Sequence, residues 1–144
     1  ILNTVNKFLD ENNLTEYVGI HMRRTDFIGS SASDDQVMNA VKLNSDKKFF
    51  ICSDDPDTEN KFANYPNVFL YKKEHYTKKL VDGNWNNMIV DNNNRAFPFN
   101  VNRYKESVID AIVDLLLLSK SSMLLKTSES TFLATAALIG ESHK

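Results

Sequence analysis

Apolar and polar positions along the chain switch repeatedly between two periods. Leu2, Val5, Phe8 and Leu9 recur at helical spacing and stop at Asn12-Asn13, which predicts a first helix. The apolar run YVGIHM, residues 17–22, predicts a buried strand, and RRTDFIGSSAS after it is polar and Gly/Ser-bearing, a loop. DDQVMNAVKL, residues 34–43, sets Val37, Ala40 and Val41 on one face behind Asp34 and Asp35 as caps, a second helix. KFFICS predicts the second strand. DDPDTENKFANY opens with a capping Asp and a proline suited to a first helical turn, a short helix. NVFLYKK, residues 67–73, predicts the third strand. Between Glu74 and Arg103 no period holds, and the Asn-rich GNWNNMIVDNNNRAFPFN carries the only Trp of the chain. Loops of that length in a domain are usually functional or mobile. RYKESVIDAIVDLLLLSKS then resumes as a helix with Val108, Ile112, Leu115 and Leu116 apolar. MLLKTS predicts a fourth strand, and STFLATAALIG a last helix with Gly140 as its C-cap.

Apolar strands alternating with helices predict an α/β domain, a parallel sheet covered on both faces. With 144 residues the chain holds one domain, residues 1–144, with a proper core. It opens on Ile1 rather than Met and runs straight into helical sequence, so we expect a piece of a longer protein. A net charge of -2 argues against a nucleic-acid groove spread over a whole face and leaves room for a local basic site. The single cysteine, Cys52, excludes an internal disulfide framework and a Cys-rich zinc site, and its place in FFIC predicts a buried thiol. No apolar run is long enough to span a bilayer.

In an open parallel sheet, ligands sit beyond the carboxyl ends of the strands. HMRRTD follows the first strand, SDDP the second, and TSEST the fourth, so three polar clusters scattered in sequence are expected on one rim. Arg23 and Arg24 supply fixed positive charge and forked donors that match phosphate oxygens. Thr127, Ser128, Ser130 and Thr131 supply hydroxyls and, at a helix start, spare backbone N–H groups suited to an anion. Two guanidinium groups and a helix start facing one gap suit a diphosphate. No metal-ligand spacing occurs, so the arginines rather than a divalent ion are expected to carry the neutralising charge.

These residues resemble a known family. IHMRRTD is similar to the His-x-Arg-Arg-x-Asp signature of GDP-fucose-dependent fucosyltransferases, which include the α1,6 enzymes and the related α1,2 and protein O-fucosyltransferases. ICSDDP resembles their second strand motif, and DLLLLSKSSMLLKTSESTFLATAA their closing segment, so the ordered matches reach from His21 to about Ala137. The resemblance implies a Rossmann-like domain, the donor-binding half of a two-domain GT-B-type glycosyltransferase that transfers fucose with inversion and without a metal or other cofactor. It implies that Arg23 contacts the β-phosphate of GDP-fucose and stabilises departing GDP, with Arg24 supporting the same site. It implies His21 against the nucleotide, Asp114 accepting from the guanine edge, Ser130 with backbone near Thr127 and Ser128 holding phosphate, and Asp26, Asp54 or Asp55 shaping the pocket. The partners implied are GDP-fucose and, through a missing N-terminal half, a glycan or protein hydroxyl. Glu129 departs from the family, standing where a small hydroxyl residue is common, and the span between HMRRTD and SDDP is shorter than in the α1,6 enzymes.

Each residue also has a plainer reading. Arg23, Arg24 and Asp26 can form a solvated strand end with a surface ion pair. His21 reads equally as a polar strand residue. Helix capping before Pro56 accounts for at least one of Asp54 and Asp55. Asp114 can belong to the polar stripe of an amphipathic helix, although the apolar residues around it make partial burial reasonable. Ser128 as cap with Thr131 inside is enough for an N-cap box. Lys72, Lys73, Lys78 and Lys79 read as a solvated face. Trp85, Phe97 and Phe99 fit a local core or an acceptor-facing surface. Two alternatives of different class stand beside the fucosyltransferase reading: the donor domain of another nucleotide-sugar transferase, and a non-catalytic α/β module whose arginines bind an acidic partner.

Overall fold

The computed structural model describes residues 1–25, 31–97 and 100–142. In chain order its elements are α1 (Leu2–Glu11), β1 (Val18–Met22), α2 (Asp34–Leu43), β2 (Phe49–Ser53), α3 (Pro56–Phe62), β3 (Val68–Phe69), β4 (Ile89–Val90), β5 (Ala96–Phe97), α4 (Lys105–Ser119), β6 (Met123–Leu125) and α5 (Thr131–Glu141). The main sheet is parallel, in the order β3-β2-β1-β6. The chain winds outward from β1 through β2 to β3, then crosses back to lay β6 on the other side of β1. Strand order therefore reverses between β1 and β6, the position at which open α/β sheets form a crevice beyond their carboxyl ends. This is an α/β layer structure consistent with a Rossmann-like arrangement.

The alternation of side chains along the strands builds two cores. Val18, Ile20 and Met22 of β1 with Phe49 and Ile51 of β2 face Val37 and Val41 of α2 and Phe62 of α3. On the opposite face Phe50 and Cys52 meet Val5 of α1, Val113, Leu117 and Leu118 of α4, and Leu133 and Ala136 of α5. Gly19 lies under α4, where a Cβ would come within 2.9 Å of Ser121 Oγ and 3.1 Å of Leu118, so its lack of a side chain lets that helix settle onto the sheet. His21, two residues on, belongs to the same face of the strand by the period-2 rule.

Several local expectations change. The N-cap of α2 is Ser33, in a reciprocal capping box with Gln36, and Asp34 and Asp35 occupy the first turn, where carboxylates favour the helix dipole. β3 is only two residues long, against a predicted run to Lys73, because the chain beyond it leaves the sheet edge. The period-less stretch contains the hairpin β4–β5, paired antiparallel. It is organised by Asn100, fully buried, whose Oδ1 accepts from the backbone of Leu80 (2.8 Å) and Val81 (2.9 Å) and whose Nδ2 donates to Val81 O (2.6 Å). Gly140 is no C-cap: α5 continues to Glu141, and a Cβ at Gly140 would sit 2.6 Å from Ser119 O. Its glycine permits close approach of α5 to the end of α4. The N-cap of α5 is Ser130, not Ser128, and it makes no side-chain capping hydrogen bond.

Candidate functional site

Parallel pairing sends the segments after β1, β2 and β6 to the same edge of the sheet. There a cavity opens against the N-terminal half of α4 and the first turn of α5, with room for about 120 Å³. That is many times the space one water needs. His21, Arg23 and Thr25 from the end of β1 line it, with Ser53 and Asp54 from the end of β2. Ser107 and Asp114 of α4 and Phe132 of α5 close the helix side. Lys73, His75, Tyr76, Thr77 and Arg103, from the two ends of the long connection, complete the wall.

His21 is buried, and its ring lies 4.6 Å from that of Phe132. Burial lowers its pKa to about 4 against the opposing pull of Asp54, with Arg23 adding to the fall, so the imidazole is neutral at neutral pH. Its Nδ1 has no hydrogen-bond partner among the described residues. Arg23 is half-buried at the cavity wall. Arg24 turns away from the cavity and closes the loop beyond β1. Its guanidinium donates to Asp34 Oδ1 (2.9 Å from Nη2, 3.2 Å from Nε), Ser31 Oγ (2.7 Å) and Ala32 O (2.8 Å). Asp34 also pairs with Lys61 at 2.5 Å, and these two cations hold its carboxyl below the usual range although burial pushes the other way. Asp54 accepts from the backbone of Arg24 (2.7 Å) and from the hydroxyl of Thr25 (2.6 Å), so it fixes the course of the arginine-bearing loop. Asp55 is the N-cap of α3, accepting from Thr58 N at 2.9 Å and Thr58 Oγ1 at 2.6 Å, and stands outside the cavity. Asp26 lies outside the described residues.

The floor holds a buried ionic group. Lys73 is 8 % exposed and is no part of a solvated face, because the chain leaving β3 turns its ammonium inward between Glu59 of α3 and Asp114 of α4. It donates to Glu59 Oε1 and, at 2.7 Å, to Asp114 Oδ2. Both oxygens of Glu59 are engaged, since it also accepts from Ser53 N (2.7 Å) and the Tyr76 hydroxyl (2.6 Å). Only one oxygen of Asp114 is engaged, since its Oδ1 is buried without a partner among the described residues. Burial pushes the Asp114 carboxyl up to about 7; the Lys73 ammonium opposes this and the charge of Glu59 adds to it. The two carboxylates hold Lys73 firmly protonated despite burial. Asp114 thus belongs to the buried face of α4, with Ser107 and Asp110, rather than to a polar stripe on its outside.

The hydroxyl-bearing segment adjoins this site without lining the cavity. Thr127 Oγ1 donates to His21 O at 2.5 Å, Thr127 O accepts from Ala32 N at 2.7 Å, and Ser128 forms a bridge with Ser31. The loops after β1 and β6 are therefore stitched together. Ser130 Oγ is buried with no partner among the described residues, while Thr131 is exposed at the first turn of α5. Glu129 pairs with Lys126 at 2.5 Å on the surface, its side chain 87 % exposed. Among the described residues, the buried polar atoms without a hydrogen-bond partner are on His21, Asp114 and Ser130, all toward this edge, and a buried polar atom left unpaired is costly.

The sequence reading missed Lys73, Glu59, Tyr76 and His75. The rule that singled out Arg23, polar residues just past an apolar strand, applies equally to Lys73 after NVFLY. Glu59 stands three residues before Phe62, on the helix face that Phe62 buries. Compared with known proteins, the chain matches no protein-family model and no curated protein.

Proposed function

We propose that the chain is the donor-binding half of a fucosyltransferase of GT-B type, and that the carboxyl-edge cavity takes the guanosine diphosphate part of GDP-fucose. The observation that carries the reading is the pairing of unfilled acceptor and fixed cation in one cavity: Asp114 Oδ1 at its floor, Arg23 at its wall. A ligand with N–H donors on a planar ring at one end and phosphate at the other satisfies both. The neutral His21 ring and Phe132 offer apolar faces to that ring. The likeness of IHMRRTD, ICSDDP and the closing segment to the fucosyltransferase motifs selects guanine and fucose from the wider set of nucleotide sugars.

In the proposed reaction a hydroxyl of a glycan or protein acceptor, bound through a second half, attacks the anomeric carbon of fucose from the side opposite GDP. The glycosidic C–O bond to the β-phosphate breaks, its electron pair stays on GDP, and the acceptor proton goes to a base. Arg23 supplies fixed positive charge where the β-phosphate gains negative charge, and the α5 N-terminus with Ser130 adds preorganised donors beside it. The roles of Arg24 and Asp54 are to hold that loop in place, since both are spent on contacts within it. No metal is required by this scheme, because the neutralising charge comes from arginine.

Calorimetric titration of the chain with GDP, UDP and ADP side by side tests the reading. GDP is expected to bind, and to bind more tightly than the other two. Equal binding of all three contradicts guanosine recognition, and no binding of any contradicts the site.

A further inference from the structure

Outside the groups that face the phosphates, the least explained feature is the arrangement around Asp114. A protein that only needed a buried carboxylate acceptor would not also bury Glu59 and Lys73 beside it, since removing charges from water is unfavourable. Both oxygens of Glu59 are engaged, one by Ser53 N and Lys73 and the other by Tyr76, and Glu59 is not among the residues that line the cavity. Its effect is to hold the Lys73 ammonium at Asp114. Lys73 in turn occupies Oδ2 of Asp114 at 2.7 Å, and Oδ1 is buried with no partner among the described residues. Asp114 lines the cavity, so Oδ1 is the oxygen left to accept from a ligand.

We propose that Lys73 is the positioning residue that sets ring selectivity in this cavity: by holding Oδ2 of Asp114 it presents Oδ1 as a lone acceptor, favouring a ring edge with N–H over one with a bare nitrogen. This rests on the nucleotide reading given above and extends it to a residue outside the signature motifs. Guanine and hypoxanthine carry a ring N–H at the edge concerned, whereas adenine carries a bare nitrogen there. Because one oxygen is free rather than two, the exocyclic amine of guanine adds little, and GDP and IDP bind alike. Without the ammonium, Asp114 takes a proton and becomes able to donate, which suits adenine instead. The titratable groups packed around Asp114 are Lys73 after β3, Glu59 on α3, Cys52 on β2, Asp110 on its own helix, and the hydroxyls of Tyr71 and Tyr76, and the cavity adds His21, Arg23, Asp54, His75 and Arg103. Of these Lys73 gives the largest pull toward the ionised form, and Glu59 and Asp110 oppose it.

The test is titration of the 144-residue chain and of Lys73→Met with GDP, IDP and ADP between pH 6 and 8.5. At pH 8 the natural chain is expected to favour GDP over ADP by about tenfold or more, the scale of one charge-assisted hydrogen bond, with IDP close to GDP. In Lys73→Met the GDP-to-ADP ratio is expected to fall by about tenfold. In the natural chain the ratio is expected to fall as pH drops through about 7, where Asp114 takes up its proton. This second measurement needs no variant and reads the acceptor state of Asp114. A natural chain that prefers GDP, with a ratio unmoved by Lys73→Met or, where that variant does not fold, by Lys73→Gln, overturns the role of Lys73 and leaves the nucleotide reading intact. GDP bound tightly but IDP rejected about a hundredfold overturns the one-oxygen geometry. A natural chain that binds none of the three overturns both.

Discussion

Replacing Lys73 by methionine removes the cation that pairs with both carboxylates of a buried group, Glu59 and Asp114, and leaves the packing nearly unchanged. The two carboxylates lose unequally. Glu59 keeps Ser53 N and the Tyr76 hydroxyl, at 2.7 and 2.6 Å, and so remains well solvated by the protein. Asp114 keeps no hydrogen-bond partner among the described residues, because its other oxygen already lacks one. Breaking a buried pair by removing one member costs about 3–5 kcal/mol. Protonation of Asp114 limits that cost. Its pKa is already about 7, and loss of the ammonium raises it further, so the carboxyl is neutral at modest expense. We therefore expect a loss near the lower bound, about 3 kcal/mol at pH 8, shrinking by about 1.4 kcal/mol in all between pH 8 and pH 6, because Asp114 of the natural chain itself takes up its proton near 7. The sign follows from proton linkage: a carboxyl whose folded pKa is raised binds its proton more tightly in the folded state, so folding gains as pH falls toward the unfolded value. Urea unfolding of the natural chain and Lys73→Met at pH 6 and pH 8 measures this. In an Asp114→Asn background the same substitution is expected to cost less. A loss below about 1 kcal/mol at pH 8, or an equal loss at both pH values, refutes the uncompensated-carboxylate argument.

Arg23→Ala is expected to weaken GDP binding by at least about tenfold, the worth of a charge-assisted contact, as read by calorimetry; unchanged affinity contradicts the proposed contact with the phosphates. Gly140→Ala places a methyl 2.6 Å from Ser119 O and is expected to destabilise the chain by about 1–3 kcal/mol in thermal unfolding, whereas a C-capping role would predict little contact cost inside the helix. Asn100→Ala removes the side chain that binds the amides of Leu80 and Val81, and hydrogen exchange at those two amides is expected to accelerate while exchange in β1 and β2 stays slow.

The strands and helices were legible wherever burial imposes a period. α2 runs from Asp34 to Leu43, the span its apolar face predicts, and β1 and β2 are the two apolar runs that any parallel sheet of this chain needs at its centre. The gathering of the β1, β2 and β6 ends at one edge was legible too, because it follows from parallel pairing alone. What could not be read was which polar residues turn inward. Lys73 adjoins Lys72 in sequence, and nothing local distinguishes the buried one from the exposed one; the distinction arises from Glu59 and Asp114, 14 and 41 residues away. Arg23 and Arg24 are equally indistinguishable in sequence, yet one lines the cavity and the other closes a loop on Asp34. Gly140 misled because helix C-caps and helix crossings both select glycine, and only the approach of α4 separates them.

The central claim is that the carboxyl edge between β1 and β6 holds a guanosine diphosphate. Amide chemical shifts of the chain during titration with GDP test it most directly. The account predicts that the largest changes fall together on His21, Arg23, Asp114 and the segment from Thr127 to Thr131, and saturate as one event. Changes confined to the β4–β5 hairpin or to the α2–α3 face, with the edge residues unmoved, contradict it.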